Sequence, residues 1–402
     1  MSLPTPTSAR RPRSRFLRRS PCPIQDWRNR IALAFTLPAS PPDPEAQALS
    51  QALGGLKADN AATLRAIRRD LMTGETPAEA AARRLSDEAV RCIRAALELV
   101  AVAMQRRHGP APGRCAILAL GKLGGGELNF GSDLDLIFVF ERDPQSYCPQ
   151  AAAYFEETAR NLVGALSCHP EAGALYDVDM RLRPHGADGV LAVELSALRS
   201  YYLESCWSWE LQALTRGRVV AGDPYVARRI MRVRREAIDH RLGRSAADIF
   251  NDVREMRELL AEEHPATTAW DVKRAAGGMI DIDFIAQGLQ LAAARGRPGL
   301  CQPSAPKALA RLTRAGLVGG EDARRLIKSW SLQFLILQHQ RALAVDPRIL
   351  ADQPPQALAA LLRSAGAPTM GALHRNLTAG QRTVRTLFNK LIGTAEGAQI
   401  AA

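Results

Sequence analysis

The sequence lacks most of what a disulfide-built, membrane-spanning or zinc-dependent protein needs. Its seven cysteines (Cys22, Cys92, Cys115, Cys148, Cys168, Cys206 and Cys301) are odd in number, scattered and never arranged as C-x-x-C. That spacing excludes a conventional zinc ribbon or disulfide framework and suits a reducing, cytoplasmic setting. No apolar run reaches the ~18 residues of a membrane span, so no membrane is expected among its partners. The seven histidines never pair at metal-ligand spacing and form no His-Asp dipeptide, which leaves no basis for a metal-dependent phosphohydrolase. There is no G-x-x-x-x-G-K-[ST] either, so a Walker A loop is absent. Aromatic residues are scarce, at 5%, although 47% of the side chains are apolar. That apolar share is that of a globular chain, and ~100–200 residues per domain allows two or three domains here.

Acid is absent from the first 20 residues, which hold six arginines, half of the formal net charge of +12. With no apolar stretch behind it, this start is not a secretory signal; its Arg- and Ser-rich composition resembles a transit peptide and equally suits a solvated tail. Residues 1–48 are read as a disordered basic tail and linker, because the prolines of 37–47 cannot sustain a helix. The remaining charge fits an anionic ligand such as a nucleotide. Apart from the tail no dense basic segment exists, so no nucleic-acid partner is expected.

The rest divides into two characters. Leu85, Val90, Ile93, Leu97, Val100 and Met104 recur at helix spacing, behind Thr76 as N-cap and Pro77 at the first helical position. Apolar runs at 115–120 and 134–140 read as buried strands, with a helix over 150–166 and further strands over 175–183 and 190–193. Beyond Trp207 nearly every segment has helical periodicity. The expected fold is therefore α+β over 49–225, a domain with N-terminal helices and a short mixed sheet, followed by an all-α bundle over 226–402.

The chemistry concentrates between the first two strands, in Gly121-Lys122-Leu123-Gly124-Gly125-Gly126 and then Gly131-Ser132-Asp133-Leu134-Asp135. Glycines free backbone N–H groups for phosphate oxygens and permit left-handed angles. Side chains alternate along a strand, so Asp133 and Asp135 share a face. Two adjacent carboxylates repel each other, and a divalent cation relieves that repulsion; carboxylate and phosphate oxygens are what Mg²⁺ prefers. In Asp177-Val178-Asp179-Met180-Arg181-Leu182-Arg183 the same alternation places Asp177, Asp179, Arg181 and Arg183 on one face. Paired beside the first acids, Asp179 would complete a three-carboxylate cluster for two metal ions. Lys122, Arg181 and Arg183 would meet phosphate on grounds of charge.

Gly-Ser-Asp-Leu-Asp resembles the signature of the DNA polymerase β-like nucleotidyltransferases. The stretch from Gly121 to Asp135, together with Val178-Asp179-Met180-Arg181-Leu182-Arg183-Pro184, is similar to the glutamine synthetase adenylyltransferase family. Trp207–Leu214, Arg216–Asp223 and Lys273–Phe284 extend the likeness over about 80–345. The resemblance implies a polymerase β-like domain followed by a helical bundle, with Asp133, Asp135 and Asp179 binding Mg²⁺. Gly121, Lys122, Gly124, Gly131, Ser132, Arg181 and Arg183 would lie around ATP. Glutamine synthetase is then the protein substrate and a PII-type signal protein a further partner. In that family one half adds AMP to a tyrosine and the other removes it by phosphorolysis. Trp207-Ser208-Trp209-Glu210-Leu211-Gln212-Ala213-Leu214 looks like the adding half, and Glu127-Leu128-Asn129-Phe130 is closer to the removing one, so both activities stand, with addition favoured. A chain of 402 residues has room for one half, and it reads as a split or truncated product. A non-catalytic remnant that binds the synthetase or a PII-type protein is the third reading.

Overall fold

A computed structural model describes residues 44–143, 148–167, 175–297 and 299–393. The arginine-rich start, Cys22 and Cys168 lie outside the described residues. Helix α1 (Pro44–Thr73) begins inside the segment read as linker: proline is compatible with a first helical turn, whose N–H has no partner in any case. Helix α2 (Ala78–His108) follows, its first position one residue beyond the expected Pro77, which here takes the cap position with no side-chain cap. The expected apolar positions of α2, Leu85 through Met104, are all buried.

Five strands make one mixed sheet: β1 (Gly113–Ala119), β2 (Leu134–Arg142), β3 (Val178–Asp179), β4 (Ala192–Glu194) and β5 (Arg218–Gly222). β1 sits between β2 and β5 and is antiparallel to both, with a register shift between Ile117 and Leu118. β3 and β4 both run parallel to β2 and follow one another along it, at Leu134–Asp135 and Phe138–Phe140. Two parallel partners on one strand need crossovers, and a helix supplies the first. That helix, α4 (Ala151–Ser167), covers the face carrying Phe138 and Phe140, both in ring contact with Phe155. Leu134 and Leu136 share that face by alternation and are buried. Asp133 and Asp135 therefore project from the opposite face, at the start of β2. Between β1 and β2 lies a single helical turn, α3 (Gly121–Gly125).

A run of helices follows β4, those beyond Trp207 lying where the sequence has helical periodicity. They are α5 (Leu195–Glu204), α6 (Ser208–Thr215), α7 (Pro224–His240), α8 (Ala246–Glu263), α9 (Met279–Ala293), α10 (Ala305–Arg314), α11 (Gly320–Leu343), α12 (Pro355–Ala365) and α13 (Met370–Leu391). The sheet layer reaches further than residue 225, because α7 packs against β1, β2 and β5. Helix α9 is apolar nearly all round, as a central helix must be, and packs against α6, α8, α10, α11 and α13. Trp330 and Phe334 of α11 stack in the core, 4.5 Å between ring centres. Trp207, ahead of α6, is 42% exposed. No described helix is long and apolar enough to cross a membrane.

Candidate active site

The acids meet where β2 begins. Leu134 and Asp135 pair in parallel with Val178 and Asp179, and the Leu134 amide donates to the Asp177 carbonyl at 2.8 Å. The pairing expected of the third acid is therefore present: Asp179 lies directly beside Asp135. Burial, then the charges of Asp179 and Asp133, push the Asp135 carboxyl up to about 6. Asp133 is also raised, by burial and then by Asp177 and Asp179. Asp179 thus raises both Asp133 and Asp135, as crowded carboxylates do.

Their donor chemistry, all oxygen, suits Mg²⁺, which takes one or two carboxylates and completes its shell with phosphate and water. Asp133 and Asp135 fit that habit as they stand. Asp179 is differently placed: Arg181 Nε donates to both its carboxylate oxygens at 3.0 and 2.9 Å, and Nη2 closes the fork. Among the described residues no three acid, histidine or cysteine side chains gather closely enough to hold one ion. The expected three-acid cluster thus consists of Asp133 and Asp135, with Asp179 adjacent but claimed by an arginine.

The strand expected over 175–183 stops at Asp179, and this redirects the two arginines. Past Met180 the chain turns, so alternation no longer applies. Arg183 is buried and donates to the carbonyls of Met180, Ala187, Gly189 and Val190, at 2.7–3.2 Å. Its guanidinium clamps the 180–190 loop instead of facing the acids, contrary to the phosphate contact expected of it. Arg181 remains at the site through Asp179.

The glycine segment is more structural than a phosphate cradle would be. Gly121 has φ +53°, and a Cβ there would stand 1.9 Å from Asp135 Oδ2. The acid therefore lies against bare backbone, which only glycine offers. Gly124 is buried, its Cβ direction blocked at 2.2 Å by the Arg216 carbonyl. Gly131 and Ser132 close a turn, with Ser132 N on the Asn129 carbonyl and Ser132 Oγ accepting from Asn129 N at 3.3 Å. Lys122 is half-buried on α3; burial, then Lys273, bring its ammonium down to about 7.

Lys273, Arg216 and Asp283 stand at the site although sequence reasoning did not place them there. Lys273, from the loop before α9, is close enough to lower both Asp133 and Asp135 electrostatically. Arg216, at the end of α6, donates to the Gly121 carbonyl at 2.9 Å and pairs with Glu127 and Asp283. All three lie in stretches already marked as family-like, and that was the available signal. Nothing local in Arg216-Gly217-Arg218 distinguishes a buried arginine from a solvated one. Asp281 and Asp283 divide by helix geometry, two residues apart and so on different sides of α9. Asp281 is fully buried, paired with Arg257 and Arg385 and accepting from Gly277 N, while Asp283 turns to Arg216.

Comparison with known proteins agrees with this architecture. Residues 252–392 match the GlnD PII-uridylyltransferase family. A bifunctional glutamine synthetase adenylyltransferase/adenylyl-removing enzyme of Rhodopseudomonas palustris is 38% identical over 331 residues, 80% of this chain and 33% of that protein. The protein of the same description from Xanthobacter autotrophicus is 38% identical over 314 residues, covering 75% of this chain and 31% of its own length. That of Bradyrhizobium diazoefficiens is 36% identical over 330 residues, 80% of this chain and 33% of the relative. The chain spans about a third of the length of these curated relatives. With residues 18–233, more than half of its length, matching that family from the tail through β5 and into α7, the chain belongs to the glutamate-ammonia ligase adenylyltransferase family.

Proposed function

We propose that the chain transfers AMP from ATP to a tyrosine of glutamine synthetase. The observation that carries this reading is the parallel pairing of Asp179 with Asp135 at the edge of a family-matched sheet. The relatives are named for both addition and removal of the adenylyl group. The Trp207–Leu214 stretch favours addition.

In this reaction the tyrosine oxygen attacks the α-phosphorus of ATP, the bond to the β-phosphate breaks, pyrophosphate leaves, and the tyrosine proton passes to a base. Asp133 and Asp135 would hold Mg²⁺, which when bound offsets charge on the phosphate oxygens. Asp179 stands where it can join them or accept the proton once Arg181 exchanges its carboxylate for a phosphate oxygen. Lys273 brings positive charge to Asp133 and Asp135 from the helical side, with Lys122 of α3 near it. The described cysteines are free thiols, consistent with a cytoplasmic setting. The 252–392 match to a PII-modifying family supports a PII-type protein as a regulator.

The test incubates the purified chain with α-labelled ATP, Mg²⁺ and unmodified glutamine synthetase, beside an Asp133→Asn, Asp135→Asn double variant. Label on the synthetase, lost at least 100-fold in the variant, is expected. Phosphate-dependent release of ADP from adenylylated synthetase, without label transfer, would assign removal instead. A folded chain with neither activity would leave the binding-remnant reading.

A further inference from the structure

The glycine segment is fastened from below by one buried cluster that draws on both regions of the chain. Arg216 and Glu127 have side chains 7% and 9% exposed, and Asp283 reaches Arg216 Nη1 at 3.1 Å. Arg216 Nε donates to the Gly121 carbonyl at 2.9 Å. Glu127, besides pairing with Arg216, accepts from the Ala305 amide at 3.1 Å, at the start of α10. The next residue is held as well: Gln338 Nε2 of α11 donates to the Leu128 carbonyl at 2.9 Å, and Leu128 N donates to Ser86 Oγ. The turn against which Asp135 rests therefore has its carbonyl, its following acid and its following backbone each fixed by a different helix. A guanidinium can serve three acceptors in one plane, which an ammonium cannot reproduce at the same spacing. Removing one member of such a set leaves a buried charge without its partner.

We infer that Arg216 is the positioning residue of this active site: with Glu127 and Asp283 it locks the Gly121–Gly125 turn beneath Asp135 and makes the helical region a working part of the nucleotidyl-transfer centre. Arg216 touches none of the reacting groups; it acts through the Gly121 carbonyl. The catalytic half of this inference rests on the adenylyl-transfer reading, whereas its mechanical half does not.

Both halves are tested on the full chain carrying Arg216→Lys, Asp283→Asn or Glu127→Gln, with Arg348→Ala, an exposed ion pair with Asp346, as control. Amide hydrogen exchange over 121–128 and AMP transfer to glutamine synthetase are both measured. The expected result is exchange at least 10-fold faster in 121–128, with the rest of the sheet unchanged. Turnover should fall at least 10-fold with KM for ATP within about threefold, and Arg348→Ala should match wild type. Asp283→Asn keeps the Arg216–Glu127 pair, so a variant that folds is available even if Arg216→Lys does not. Unchanged exchange over 121–128 in Asp283→Asn overturns the inference. So does faster exchange throughout the chain with wild-type turnover per folded molecule. Wild type that transfers no AMP would instead sink the adenylyl-transfer reading, and the exchange comparison would still decide the locking role.

Discussion

At the scale of single residues, Asp135 carries the sharpest electrostatic consequence. Its carboxyl is pushed up to about 6 by burial and by two neighbouring acids, against an ordinary value near 3.8. A carboxyl raised in the fold is destabilising once ionised: its cost is absent below pH 4, grows as pH rises through about 6, and is complete above that. Asp135→Asn should therefore stabilise the ligand-free protein by about 2 kcal/mol at pH 7.5, after allowance for solvent screening, and by nothing measurable at pH 4. Urea unfolding at the two pH values checks this, and equal gains at both would refute it. The same substitution should abolish AMP transfer, the usual opposition between stability and a crowded active site. The size of this effect could not be read from Asp-Leu-Asp alone, because it depends first on burial and then on Asp179, which is distant in sequence.

At the scale of elements, the loop between β1 and β2 shows how one sequence feature serves two purposes. Five glycines in Gly121–Gly131 suggest uniform permissiveness, yet their surroundings differ. A Cβ on Gly124 would stand 2.2 Å from the Arg216 carbonyl and 2.9 Å from that of Ala119. Gly131 has φ +64° and nothing within 4 Å of its Cβ position. Gly124→Ala should thus cost about 3 kcal/mol, since backbone must move, whereas Gly131→Ala should cost only the ~1 kcal/mol of a left-handed side chain. Paired chemical denaturation curves distinguish them, and equal costs would contradict this packing. The long helices were legible because each has a full turn or more of periodic burial to report. Strand β5 and helix α5 were not: β5 is five residues long and α5 carries little amphipathic pattern. The end of β3 at Asp179 was equally hidden, because Asp-Val-Asp-Met-Arg-Leu-Arg continues to alternate after the chain has turned.

At the scale of the whole molecule, the sheet region and the helical region share one contiguous core. They are joined by polar contacts as well, Glu127 to Ala305 and Gln338 to Leu128 among them. Unfolding should accordingly be a single cooperative transition, with near-ultraviolet dichroism and far-ultraviolet dichroism losing signal together. Two separated transitions would show that the regions are independently stable and that the contacts beneath the glycine turn are incidental.

Sequence alone indicated strands β1 and β2, the helices beyond Trp207, the aliphatic core and the neighbouring acids Asp133 and Asp135, because these depend on local alternation, periodicity and a motif contiguous along the chain. It also indicated Asp179 as their neighbour, through the likeness of two separated stretches to one family. Tertiary structure decided what each charged side chain faces. Arg183 turned inward to a loop, Arg181 took hold of Asp179, and Arg216 became the buried centre of a cluster built from residues 127, 216 and 283. A charged residue's partner is set by which backbone segments are brought together, and that is a property of the folded chain rather than of any window along it.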